Sequence, residues 1–121
     1  MKYKFFANSK GQFVYSINGA EALPEAFEAV LPNTVEASVE KHIPVVTLED
    51  GAVTVNVGAV DHPMVDVHYI EWVWLETDKG GQLRKLLPGS EPNVSFVLQD
   101  EEKPLAVYAY CNLHGLWKTE I

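Results

Sequence analysis

Short runs of alternating apolar and polar residues, each closed by turn-forming residues, fill the chain from about residue 40 onward and leave room for few folds. Val53, Val55 and Val57 alternate with Thr54 and Asn56, and Gly58 ends the run. That two-residue period belongs to a strand with one face in a core and the other in water. Residues 65–75 are aromatic and β-branched and predict a second strand. Lys79-Gly80-Gly81 predicts a turn, and Pro88-Gly89-Ser90 with Pro92 predicts another. Two further strands are expected over 94–98 and 105–110, the latter introduced by Lys103-Pro104. With no long helix between them, runs at this spacing imply an all-β, antiparallel β-sandwich.

The first ~35 residues read differently. Residues 3–17 predict one or two short strands around a turn at residues 8–11. Leu23-Pro24-Glu25-Ala26-Phe27-Glu28-Ala29-Val30-Leu31 predicts a helical turn or two, with Phe27, Val30 and Leu31 on one face and Pro32 as the stop. The expected division is a small β-rich extension over 1–35 and a sandwich over 36–121. So short an extension cannot build a large core alone, and is expected to dock on the sandwich or on another subunit.

Composition narrows the function classes. A chain of 121 residues, 47% hydrophobic and 21% charged, suits one globular core and is too apolar for disorder. A formal charge of −8, with no Lys/Arg cluster, argues against nucleic acid as a partner. An anionic substrate would need a lysine close to its site, because the overall field repels it. One cysteine excludes an intrachain disulfide framework and leaves either an inert buried thiol or a reactive, metal-binding one. The start, Met1-Lys2-Tyr3-Lys4-Phe5-Phe6, lacks a signal peptide's apolar run, and no stretch is long enough to cross a bilayer. The expected location is therefore the cytoplasm, with no membrane partner.

All four histidines and the only cysteine fall in three short motifs. These are Glu40-Lys41-His42-Ile43-Pro44, the stretch from His62-Pro63-Met64 to His68-Tyr69, and Cys111-Asn112-Leu113-His114-Gly115-Leu116-Trp117. Pro44 predicts an extended loop around His42. His62 is expected at the end of the valine-rich strand and His68 on the next one. Cys111 and His114 are expected in a loop after the last long apolar strand. Strand ends and loops are where a rigid sandwich presents side chains to one site. Each residue alone has an ordinary explanation as a surface or core-edge side chain; jointly they make a first shell for a metal. Structural zinc prefers paired Cys/His spacings on both sides, and a second pair is missing. Four imidazoles suit iron, copper, nickel or zinc, and one thiolate adds a soft axial donor. Met64 keeps a copper centre open as an alternative. Trp72, Trp74 and Trp117 read as core and rim packing.

Together these motifs, with His68-Tyr69-Ile70-Glu71-Trp72, closely resemble superoxide reductases of the desulfoferrodoxin and neelaredoxin group, over roughly residues 33–121. The resemblance implies an immunoglobulin-like β-sandwich carrying one mononuclear iron per chain. It implies His42, His62, His68 and His114 as equatorial ligands and Cys111 as the axial thiolate. Glu40 and Lys41 would border an open sixth position, Lys41 guiding the anion and Glu40 closing the position on oxidised iron. The implied reaction is one-electron reduction of superoxide to hydrogen peroxide, a detoxification step in oxidative stress. A rubredoxin-like protein is the implied electron donor, and a homodimer or homotetramer the implied assembly. A rival reading is a metal-binding or electron-transfer module on the same sandwich, which has no use for an open position.

The extension also resembles the family, with a departure. Desulfoferrodoxins begin with a small desulforedoxin-like domain whose four cysteines hold a second iron. Tyr3-Lys4 and Asn33-Thr34-Val35 look similar to that domain's flanks. Phe5 and Asn8 stand at the Cys-x-x-Cys spacing, and the adjacent pair falls near Ala22 and Leu23. None is cysteine, so the resemblance implies a degenerate segment with no rubredoxin-type second iron.

Overall fold

A computed structural model describes residues 2–24 and 26–121. The chain divides into two compact units, the first ending at Leu31 and the second spanning Pro32–Ile121. The first contains β1 (Tyr3–Ala7), β2 (Phe13–Ala20) and the two-residue β3 (Glu28–Ala29), in the antiparallel order β2-β1-β3. Phe5 and Phe6 are its buried apolar residues, and each such burial contributes about 2 kcal/mol. Phe5 meets Tyr15 edge-on at 5.1 Å, and Tyr3 meets Phe6 at 6.2 Å. Asn8 holds the turn after β1: its Oδ1 accepts from the amides of Lys10 and Gln12, both at 3.0 Å.

The helical turns expected over 23–31 do not form among the described residues (Glu25 lies outside them). Instead Ala29 pairs with Phe6, and the Val30 amide donates to Phe5 O at 2.9 Å. An isolated helix this short is marginal in water, whereas the open edge of β1 supplies ready backbone partners.

The second unit begins with a one-turn helix, α1 (Val39–His42), followed by β4 (Pro44–Glu49), β5 (Ala52–Val57), β6 (Ile70–Thr77), β7 (Gly80–Lys85), β8 (Asn93–Val97), β9 (Pro104–Cys111) and β10 (Gly115–Glu120). They form two sheets, β10-β9-β6-β7 and β4-β5-β8, antiparallel throughout. This is an immunoglobulin-like sandwich. Its core joins Val53, Val55 and Val57 of β5 and Phe96 of β8 to Ile70, Val73 and Leu75 of β6 and Val107, Ala109 and Cys111 of β9. The Thr119 hydroxyl donates to Pro44 O at 2.6 Å and the Gln82 amide to Val97 O at 2.8 Å, tying the two sheets at opposite edges.

Several boundaries differ from expectation. The second predicted strand starts at Ile70, not 65; residues 65–68 form a tight turn closed by reciprocal bonds between Val65 and His68, each 3.0 Å. His68 therefore precedes β6 and does not lie on a strand. His42 lies in α1 and not in an extended loop, because a following proline restricts the residue directly before it; that residue, Ile43, is the extended one (φ −67°, ψ 121°). Cys111 is the last residue of β9 and not a loop residue. β4, β7 and β10 have no counterpart among the predicted runs. In β10 the adjacent pair Leu116 and Trp117 is buried, which breaks the two-residue period. In β7 the turn moves to Asp78 and Lys79, and Gly80 and Gly81 join the strand.

Candidate metal centre

The candidate ligands are delivered by four short structures. α1 carries His42 at its end. The turn after β5 leads to His62, and the 65–68 turn ends on His68. The β9–β10 hairpin carries Cys111 at the end of β9 and His114 on its three-residue turn, Asn112-Leu113-His114. Gly115, with φ +80°, closes that turn in the left-handed region, a conformation that costs glycine little.

These pieces bring the four imidazoles into a square. Successive ring centroids, in the order His42, His62, His68, His114 and back, lie 4.7, 4.6, 5.1 and 5.0 Å apart. Neighbouring rings are turned by 74–83° from one another, and the His42–His68 diagonal is 6.5 Å. Cys111 Sγ lies within 4.8 Å of the ligand atoms of His42, His62 and His68, and 4.0 Å from His114 Nδ1. A donor this near every corner sits over the square, at an apex. The thiol also accepts the His114 amide at 3.4 Å.

Hydrogen bonds fix which nitrogens point inward. His42 Nδ1 donates to Ser38 O at 2.6 Å, and His62 Nδ1 donates to Pro63 O at 2.7 Å. A carbonyl can only accept, so the proton of each neutral ring is on Nδ1 and its Nε2 is bare. Burial, then the neighbouring imidazoles and at His42 also Lys41, disfavours the charged rings: His42 is shifted down, and His62 is pushed down to about 4. The two bare Nε2 atoms nevertheless face each other at 3.2 Å, and His42 Nε2 also faces His114 Nδ1 at 3.2 Å. The lone pairs of His42 and His62, converging at that distance with no proton between them, are a donor pair for a cation. His68 agrees: its Nε2 is buried with no hydrogen-bond partner. The donors suit iron among the first-row metals that accept imidazole and thiolate. Metal-free, burial raises the Cys111 thiol above its usual range, opposed by the amides of Leu113 and His114. Met64 does not join the set; its sulfur accepts the Ile70 amide at 3.4 Å against the core. The copper alternative thus lacks its axial methionine.

Glu40 and Lys41 are exposed on α1, directly before His42. The Glu40 carboxyl is held below the usual range mainly by hydrogen bonding to its own backbone. His68 is shifted down by burial first, then by the charges of His114 and Lys41.

With this geometry in view, the likeness to known proteins is informative. The desulfoferrodoxin profile matches residues 34–120. The chain belongs to the desulfoferrodoxin family. It is 44% identical over 88 residues to the desulfoferrodoxin of Desulfarculus baarsii, covering 73% of this chain and 68% of that one. With the desulfoferrodoxin of Clostridium acetobutylicum it shares 39% identity over 97 residues, 80% of this chain and 75% of the other. The crystal structure of the superoxide reductase from Treponema pallidum superimposes with a TM-score of 0.80 at 38% identity, covering 96% of this chain and 98% of that one. That match takes in the first unit as well as the sandwich.

Sequence reasoning missed two features of this desulfoferrodoxin-family site. Trp117, read as packing, stacks on His42 (centroids 4.9 Å, 27° between planes) and donates from Nε1 to His114 O at 3.0 Å. It thus touches two candidate ligands. The carbonyls of Ser38 and Pro63 that set the tautomers belong to the backbone, and no side-chain signal announces them.

Proposed function

We propose that this chain is a superoxide reductase. It takes superoxide, with one electron and two protons, to hydrogen peroxide without releasing dioxygen, at one iron held by His42, His62, His68, His114 and Cys111. The observation that carries this reading is the square of imidazoles, with the bare Nε2 atoms of His42 and His62 3.2 Å apart and a thiol at its apex. Bound iron supplies the electron by passing between its ferrous and ferric forms. With iron bound, imidazole ligands would add no charge and the Cys111 thiolate would donate electron density, as thiolate ligands do at other irons. Two amides directed at that sulfur temper the donation. Lys41 draws the anion toward the square against the overall charge of −8. Glu40, beside it on the same exposed turn, would be the carboxylate at hand to ligate the iron once it is oxidised.

The first unit (1–35 in this reading, with the sandwich over 36–121) holds no second iron. Buried Phe5 stands where a thiolate would be needed, and Asn8 directs its oxygen at backbone amides. Electrons then come from outside the chain, from a rubredoxin-like protein. The enzyme works in the cytoplasm as a homodimer or homotetramer. No helix among the described residues is long and apolar enough to cross a membrane.

Metal analysis with visible spectroscopy and pulse-generated superoxide test the reading together. The expected protein holds about one iron per chain, is blue when oxidised through thiolate-to-iron charge transfer, and consumes superoxide with no dioxygen evolved. Dioxygen evolution, or loss of superoxide at the uncatalysed rate by the iron-loaded protein, refutes it.

A further inference from the structure

The four imidazoles are not held alike. His42 and His62 are anchored through Nδ1 to carbonyl oxygens. His114 is fixed through its backbone, by its amide on Cys111 Sγ and its carbonyl under the Trp117 indole. His68 Nε2 is buried without a hydrogen-bond partner, so this corner depends on the backbone that carries it and on the flanking rings of His62 and His114.

That backbone is gripped by one residue. Asn112 Oδ1 accepts the Tyr69 amide at 3.0 Å, and Asn112 Nδ2 donates to Val67 O at 3.1 Å. The Asn112 amide itself donates to Tyr69 O at 3.2 Å. The residues on either side of His68 are therefore both tied to the residue that follows Cys111. Inside the grip, the reciprocal Val65–His68 bonds close the turn. Only a carboxamide fits, because one end must accept an N–H and the other must donate to a carbonyl. The 65–68 turn is otherwise exposed, with Val65 and Val67 facing solvent, so little packing would hold it in place.

We infer that Asn112 is the positioning residue for His68, setting its distance and angle relative to Cys111. This rests on the reading of both residues as iron ligands. The clamp thereby retains the metal, since an unanchored imidazole at one corner lets iron escape and three anchored corners do not hold the square by themselves. Loss of an outer partner of a metal ligand typically costs about 10–100-fold in metal affinity.

The test measures iron release from the loaded protein to excess EDTA, read at the charge-transfer band, for wild type, Asn112→Ala, His68→Ala and the double variant. Asn112→Ala should release iron about 10–100-fold faster and shift the band. In the His68→Ala background the Asn112 change should add almost nothing, since its effect passes through His68. Asn112→Asp is nearly isosteric. It keeps the Tyr69 contact but sets a carboxylate oxygen against Val67 O, and so repeats the test without a packing defect should the alanine variant not fold. Wild-type release kinetics and spectrum in Asn112→Asp, or additive effects in the double variant, overturn the inference. If wild type binds no iron, or His68→Ala leaves release and spectrum unchanged, the ligand reading itself fails, and with it the basis for a clamp.

Discussion

Replacing Gly115 with alanine isolates the backbone conformation that presents Cys111 and His114. Gly115 has φ +80°, in the left-handed region, where an alanine costs about 1–2 kcal/mol. The new Cβ would lie 3.3 Å from Val35 Cγ2, a contact that a small movement of one methyl relieves, so crowding adds little. For a unit of this size each kcal/mol lowers the melting temperature by about 4–8 °C, so the expected loss is on the order of 10 °C. The thiolate-to-iron band should move as well, because the residue lies directly after His114 and pairs with Cys111 across the hairpin. Asparagine carries the same Cβ but visits the left-handed region more readily, so Gly115→Asn should recover part of both losses. Thermal unfolding of the three iron-loaded proteins, followed by circular dichroism and at the visible band, gives both readouts. A Gly115→Ala protein melting within a degree of wild type would refute the conformational argument. Equal damage from alanine and asparagine would place the cost in the Val35 contact instead.

Two other substitutions probe how the square is carried. A Cβ at Gly58 would come 2.7 Å from Glu40 O and 3.0 Å from both Ile43 O and Lys41 C, all backbone atoms of the turn that bears His42. Gly58→Ala should therefore destabilise by about 1–3 kcal/mol and shift the visible band, as seen by urea unfolding and absorbance; an unperturbed spectrum would mean the turn is not seated on Gly58. Trp117→Phe keeps a ring over His42 but removes the donor to His114 O. It should cost about 1–3 kcal/mol in chemical denaturation and speed iron loss, and wild-type stability would show the carbonyl finds another donor.

Legibility from the sequence followed the physics of each segment. β5 was readable because Val53, Val55 and Val57 face a core while Thr54 faces water, and that contrast is written in residue type. β9 and β6 lie inside the four-stranded sheet and are buried along most of their length, so their runs signal strand without marking where it starts. β10 escaped notice because the motif containing Cys111 and Trp117 reads as a loop, yet it is a hairpin whose second strand begins at Gly115. The 23–31 segment was misread because a short amphipathic pattern carries no record of a free strand edge nearby. The five candidate ligands were readable as a set because no other histidine or cysteine exists to dilute them. What turns them into a square was not. The carbonyls of Ser38 and Pro63 are present in every residue type, and the Asn112 grip joins positions 43 and 45 residues apart. Nothing local marks such contacts.

Charge supplies the sharpest remaining test of substrate delivery. The chain carries −8 and its substrate is an anion, so the global field opposes encounter and salt should relieve that opposition. A local attraction by Lys41 works the other way, since salt weakens it over a Debye length of about 8–10 Å. Lys41 is adjacent to His42 and its charge acts on both His42 and His68, which makes it the cation placed to act on the anion at short range. In wild type the bimolecular rate with superoxide should therefore fall as ionic strength rises. Lys41→Ala takes the formal charge from −8 to −9 and removes the local term, leaving only repulsion. Its rate should be lower at low salt and should rise with ionic strength, reversing the sign of the dependence, while Lys41→Arg keeps the wild-type sign. Pulse radiolysis across a salt series reads both quantities. A Lys41→Ala enzyme with wild-type rate and slope would mean that the anion is drawn in by some other group, and that Lys41 is only a solvated neighbour of His42.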